Sequence, residues 1–151
     1  MSILVCGGAG YIGAHVVRLL RQRGDRVVVV DDLSTSNAAR IGDTPLVRLD
    51  VATDEARSVL SNLMVDEDVT AVIHFSARKQ VGESVARPTW YYQQNIGGMA
   101  NVLAAMEDTG VDQMIFSSSA AVYGIPTAEV VTEDMAGHPI NPYGETKLIG
   151  E

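Results

Sequence analysis

Gly7-Gly8-Ala9-Gly10-Tyr11-Ile12-Gly13 lies between the apolar run Ile3-Leu4-Val5-Cys6 and a segment where Ile12, Val16, Leu19 and Leu20 recur at helical spacing up to Gly24. That order reads as strand, tight turn and helix. Residues 26–30 follow, with four consecutive valines at 27–30. Such a run suits a strand buried on both faces of a parallel sheet better than a half-exposed antiparallel one. The opening unit is therefore βαβ.

Outward from this unit the alternation continues: strand near 46–49, helix near 54–63, strand at 71–75, helix through 102–106 and strand at 113–117. Gly110, after a helical stretch, reads as a C-cap. The pattern predicts an α/β fold of the doubly wound, Rossmann-like kind, with a parallel sheet. There is no internal repeat, low-complexity segment or Pro/Gly/Ser linker to mark a second domain. Asn141-Pro142 opens a helix at Tyr143 that has run about two turns when the sequence stops at Glu151. The apolar strand at 113–116 calls for a neighbour on its outer edge. The expectation is a partial Rossmann domain over 1–151, with a C-terminal substrate domain outside this chain.

At 151 residues and 46% hydrophobic content, one globular domain with a real core is expected. A net charge of -8 and a pI near 4.7 argue against a nucleic-acid partner, since phosphate backbones are held by basic surfaces. Cys6 is the only cysteine and sits in an apolar run, so it reads as a strand residue in a reducing compartment. The apolar start is too short for a signal peptide, and no window approaches the ~20 residues of a membrane span. A cytoplasmic location with no membrane partner is the reading.

The glycines carry chemistry as well as a turn. They let the backbone approach a pyrophosphate, which then lies on the positive end of the following helix. Asp31 closes the second strand, where it can accept hydrogen bonds from both adenosine ribose hydroxyls and would repel a 2′-phosphate, favouring NAD over NADP. Gly7, Gly10, Tyr11, Ile12 and Gly13 are thus expected to hold the pyrophosphate. Asp31 and the residues after it, Asp32, Leu33, Ser34, Thr35 and Ser36, are expected at the adenosine end.

Tyr143-Gly144-Glu145-Thr146-Lys147 is a YxxxK motif, and residues four apart on a helix share a face. An ammonium beside a phenol favours the phenolate, which suits a general base. Taken alone, the motif is more often a surface tyrosine and lysine on an exposed helix. The run Phe116-Ser117-Ser118-Ser119-Ala120-Ala121-Val122-Tyr123-Gly124 ends a parallel strand at its C-terminal side, where α/β sheets place ligands. A serine there can hydrogen-bond a hydroxyl undergoing oxidation.

The GxxGxxG spacing, rather than GxGxxG, resembles the extended branch of the short-chain dehydrogenase/reductase superfamily, and the likeness runs through essentially the whole chain. Within it the sequence is similar to the nucleotide-sugar epimerases. That resemblance implies that Asp50 and Val51 bracket the adenine, and that Phe75, Ser76, Ala77 and Lys79 approach the cofactor. It also places Asn95 at the head of the central helix, with Gln94 and Ser117 as further NAD contacts. Ala77 and Arg78 depart from the family, where glycine and leucine are frequent. The resemblance further implies that the third serine of the run completes a triad, Ser119, Tyr143 and Lys147, with Ser119 and Tyr143 also contacting substrate. Dehydratases of this kind carry an acidic pair after the triad Ser/Thr, whereas this chain has Ala120 and Ala121, so oxidation and reduction at one carbon fits better than elimination.

The stretch Lys79-Gln80-Val81-Gly82-Glu83-Ser84-Val85 is most similar to the epimerases that interconvert UDP-galactose and UDP-glucose. The implied reaction is oxidation at C4, rotation of the 4-keto sugar and hydride return, with NAD retained, a UDP-sugar as substrate and a homodimer as the assembly. Two alternatives stay open: another nucleotide sugar, such as a UDP-N-acetylhexosamine or UDP-uronate, or an NAD-binding fragment or sensor that turns over nothing.

Other residues read as structure. His74 closes a buried strand and is taken as a core histidine. His15, His138 and Cys6 lack metal-ligand spacing, so no metal is expected. The six methionines are core filler, Trp90-Tyr91-Tyr92 is a packing cluster after Pro88, and Glu83 has the plain alternative of satisfying loop donors.

Overall fold

A computed structural model describes residues 1–126 and 129–151. In chain order the strands and α-helices are β1 (Ser2–Cys6), α1 (Tyr11–Arg23), β2 (Val27–Asp31), β3 (Leu46–Arg48), α2 (Ala56–Asp66), β4 (Val69–His74), α3 (Val81–Ala86), α4 (Pro88–Tyr91), α5 (Gly98–Thr109), β5 (Gln113–Phe116) and α6 (Pro142–Gly150). Short 3-10 turns occupy Ala38–Ile41 and Ala120–Tyr123, and a π-helical turn occupies Tyr92–Gly97. The chain falls into two units, Met1–Ser76 with Gly98–Ser117, and Ala77–Gly97 with Ser118–Glu151.

The first unit is a five-stranded sheet in the order β3-β2-β1-β4-β5, parallel throughout. All five residues of β2 are buried, as its valines require. Val5 stands opposite Val29 on one side and Ile73 on the other, and alternation then sorts the side chains onto two faces. Leu4, Cys6, Val28, Val30 and Val72 meet Leu60 and Met64 of α2 and Val102, Ala105 and Met106 of α5. Val5, Val27, Val29 and Ile73 meet Ala14 and Val17 of α1. Each fully buried aliphatic side chain contributes roughly 1.5–3 kcal/mol. Burial pushes the Cys6 thiol, with a smaller push from Asp31, up to about 12, so it stays a protonated core residue.

Glycine ends two of these helices. Gly24 takes φ 93°, and its N–H returns to the Arg21 carbonyl while Asp25 N–H reaches Leu20 O, a Schellman arrangement. Gly110, at φ 74°, closes α5 as its position implied. Strand β4 begins at Val69 rather than 71, because Val69 is buried and pairs with Ser2. On β5, the edge strand, Ile115 is 63% exposed.

The second unit is made of two stretches far apart in sequence, so no linker announces it. Helices α3 and α4 span six and four residues, too short for a helical periodicity to show. Their anchor is Tyr91, fully buried, whose hydroxyl accepts from Gln80 N–H and donates to the Glu83 carboxylate, both at 2.9 Å. Burial and that carboxylate raise the Tyr91 pKa. Among the described residues no helix is long and apolar enough to cross a membrane.

Candidate active site

Because the five strands are parallel, their C-terminal ends share one edge of the sheet. Gly7, Asp31, Asp50, Phe75 and Ser117 each lie at or within two residues of such an end. Gly7 has φ 77°, and a Cβ there would stand 2.7 Å from Ser76 N and 2.9 Å from the Phe75 carbonyl carbon. A Cβ on Gly13 would lie 2.3 Å from Gly7 O. Gly10 is looser, its nearest contact being 3.2 Å, so it leaves backbone open to a ligand rather than filling a packed site. Helix α1 begins there with no side-chain cap and no acidic residue in its first turn, and Tyr11 and Ile12 are exposed. Uncapped N–H groups and the positive end of the helix dipole suit a pyrophosphate.

Asp31 is buried and ties this loop to the next one. Its Oδ2 accepts from Ala9 N–H at 3.0 Å, and its Oδ1 accepts from Leu33 N–H at 2.9 Å and Ser36 Oγ at 2.6 Å. A carboxylate has about four acceptor sites, so capacity remains for a ribose hydroxyl. Asp32 receives both Ser34 N–H and Ser34 Oγ, shaping the 32–36 loop in which Leu33 takes φ 58°. Thr35 is exposed in that loop. After β3, Asp50 Oδ1 accepts from Ala52 N–H at 2.9 Å, and Val51 is buried.

In the second unit Asn95 is buried inside the π-helical turn. Its Oδ1 accepts from Arg78 N–H at 2.7 Å, while its amide donates to Arg78 O at 3.0 Å and Thr146 Oγ1 at 2.9 Å. With both amide hydrogens so engaged, Asn95 offers a ligand acceptor capacity only. Gln94 Oε1 accepts from Arg78 Nε at 3.0 Å, and the Arg78 guanidinium carbon lies 5.1 Å from the centre of the Trp90 ring, with that of Arg87 at 3.9 Å. The family departure at Arg78 is thus built into the 77–80 loop, and the aromatic cluster packs as expected. The Glu83 carboxylate accepts from the Tyr91 hydroxyl and lies 3.6 Å from Arg87, side-chain partners in place of the loop donors its plain alternative expected. Lys79 is exposed.

Helix α6 is started by Asn141, whose Oδ1 accepts from Gly144 N–H at 2.9 Å, and by Pro142 at its first position. A Cβ on Gly144 would come within 2.6 Å of Ala121 O, so the first turn of α6 abuts the 3-10 turn that Ser119 opens. Ser119 Oγ accepts from Ala121 N–H at 3.2 Å as that turn's cap, which leaves its O–H to donate. Tyr143 is half-buried beside this turn, and Lys147, one helical turn on, is only 4% exposed. Burial brings the Lys147 pKa down from 10.5 to about 8. Thr146, also buried, donates its hydroxyl to Tyr143 O at 2.8 Å.

Three residues escape sequence reasoning. Gly8 falls outside the GxxGxxG spacing, yet a Cβ there would meet Val29 Cγ1 at 2.7 Å. Thr146 lies between the motif's tyrosine and lysine with nothing in its type to mark it. Asn101 lies in α5 and reaches back to the 50–53 loop.

Comparison with known proteins agrees with this layout. The model of the family described as NAD dependent epimerase/dehydratase matches residues 3–151. The chain is 45% identical to UDP-glucose 4-epimerase of Lactobacillus helveticus over 151 residues, which is all of this chain and 45% of that protein. It is 43% identical to the Bacillus subtilis UDP-glucose 4-epimerase, covering 46% of it. A crystal structure of the Brucella ovis UDP-glucose 4-epimerase in complex with NAD superposes with a TM-score of 0.93 at 42% identity, over 99% of this chain and 45% of that one. The chain therefore spans about 45% of the length of these relatives. With a glycine cradle closed by Asp31 in its first unit, a serine turn set against a YxxxK helix in its second, and a family model matching residues 3–151, the chain is a member of the NAD dependent epimerase/dehydratase family.

Proposed function

We propose that this chain supplies the dinucleotide-binding and catalytic residues of an enzyme that interconverts UDP-galactose and UDP-glucose. The observation that carries the reading is the Ser119 turn packed on the start of α6. It sets a serine able to donate beside the helix of Tyr143 and the buried Lys147, with Ala120 and Ala121 where elimination would need acids. NAD, when bound, supplies the acceptor and then the donor of hydride at the sugar C4.

Gly7, Gly10 and Gly13 would hold its pyrophosphate against α1, Asp31 its adenosine ribose, and Asp50 and Val51 its adenine. Tyr143, as phenolate, removes the proton of the sugar 4-hydroxyl and returns it after the 4-keto sugar has turned. Ser119 donates to the same oxygen and orients it. Lys147 in its charged form favours the phenolate. The family resemblance further implies a homodimer, for which Leu103 of α5 and Ile149 of α6 leave apolar side chains exposed.

The test is conversion of UDP-galactose by the full-length gene product without added NAD, beside Tyr143→Phe. Expected is conversion by the wild type and a loss of at least about 100-fold in the variant. Conversion confined to another nucleotide sugar would change the substrate, and bound NAD with no conversion of any nucleotide sugar would overturn the proposal.

A further inference from the structure

Asn101 lies three residues after Gly98 on α5, which places both on one face of the helix. A Cβ on Gly98 would stand 2.9 Å from Val51 Cγ2, so α5 lies directly against the 50–53 loop. The Asn101 amide gives one hydrogen to Val51 O at 2.9 Å and the other to Thr53 O at 3.0 Å. Bonds within the loop set its curvature: Asp50 Oδ1 accepts from Ala52 N–H, and Thr53 Oγ1 donates to Asp50 O at 3.0 Å. Backbone bonds from Leu49 N–H to Asp31 O and from Ala56 N–H to Thr53 O hold its two ends. The two bonds from Asn101 hold its middle, directing the Val51 and Thr53 carbonyls onto α5; the Ala52 N–H that bonds the Asp50 carboxylate shares a peptide plane with the Val51 carbonyl.

We propose that Asn101 is a positioning residue that sets the base-reading loop of the dinucleotide site, acting through Val51 and Asp50 rather than on the ligand itself. This rests on the reading above that the sheet unit holds a dinucleotide. The chemistry makes the residue type specific. One amide nitrogen with two hydrogens serves two carbonyls, which alanine cannot do, and an aspartate would turn lone pairs toward both of them.

The experiment compares the affinity of the full-length protein for NAD and for its hypoxanthine analogue in the wild type, Asn101→Ala and Asn101→Asp, with thermal unfolding of each. The wild type is expected to prefer adenine. Asn101→Ala is expected to bind NAD about tenfold more weakly, about 1.4 kcal/mol, and to lose most of the preference, with Asn101→Asp worse than alanine. A merely structural role would weaken both ligands alike in step with stability and leave the preference intact, and that result overturns the inference. Equal binding of both ligands by the wild type overturns it too while leaving the dinucleotide site standing. Binding of neither would sink the dinucleotide reading itself, and this inference with it.

Discussion

Replacing Lys147 by methionine should remove a rise of stability with pH that the wild type shows between pH 7 and 9.5. Lys147 is 4% exposed, and its pKa in the fold is about 8 instead of 10.5. Between those two values the unfolded chain binds the proton and the folded chain does not, so stability climbs with pH there. Below about pH 8 the folded protein must carry a charge that burial disfavours, at a cost of about 3 kcal/mol; about 2 kcal/mol of this is relieved between pH 7 and 9.5. Methionine has similar volume and no charge, so the variant lacks this pH dependence. Urea unfolding of both proteins from pH 7 to 9.5 measures the difference directly. A stability gap between the two proteins that stays constant across that range would refute the reasoning.

Gly10 and Gly13, at the start of α1, should behave differently. Gly13→Ala pushes a methyl to 2.3 Å from Gly7 O, so a loss of roughly 1–3 kcal/mol in denaturant unfolding is expected together with loss of NAD binding. Gly10→Ala puts its methyl 3.2 Å from Gly7 O and alanine at the start of α1, so a smaller loss of stability than for Gly13→Ala is expected while calorimetry shows NAD binding impaired. Asp31→Ala leaves the N–H groups of Ala9 and Leu33 without their acceptor, and a loss of roughly 1–3 kcal/mol per group left unsatisfied, lessened where water reaches it, should accompany weakened NAD binding. Leu60→Ala, in the fully buried interior of α2, should cost about 2–5 kcal/mol in urea unfolding.

The sheet was legible because most of its strand residues are apolar, with β2 almost wholly valine, and because glycine stands where the chain must turn sharply, at Gly7 and Gly24. The end of β2 at Asp31 and the helix that carries the YxxxK pair were legible through spacing. What escaped depends on contacts between residues far apart in sequence. Asn101 and Thr146 are ordinary polar residues until folding brings Val51, Thr53 and Asn95 to them. Gly8 is confined by Val29, on the neighbouring strand, which no local motif can express. The π-helical turn at Tyr92–Gly97 has no propensity signature and is stabilised by the bonds Asn95 makes to Arg78 and Thr146. The second unit, assembled from residues on both sides of α5 and β5, lacks the continuous segment that a sequence reading uses to mark a boundary.

The most direct test of the central claim follows hydrogen at C4. UDP-galactose carrying deuterium at C4 is incubated with the full-length gene product in ordinary water without added cofactor, and the UDP-glucose formed is examined by mass spectrometry and NMR. The account predicts that the label stays at C4 of the product, and that Tyr143→Phe and Ser119→Ala slow its appearance. Conversion with the deuterium lost to water would contradict it.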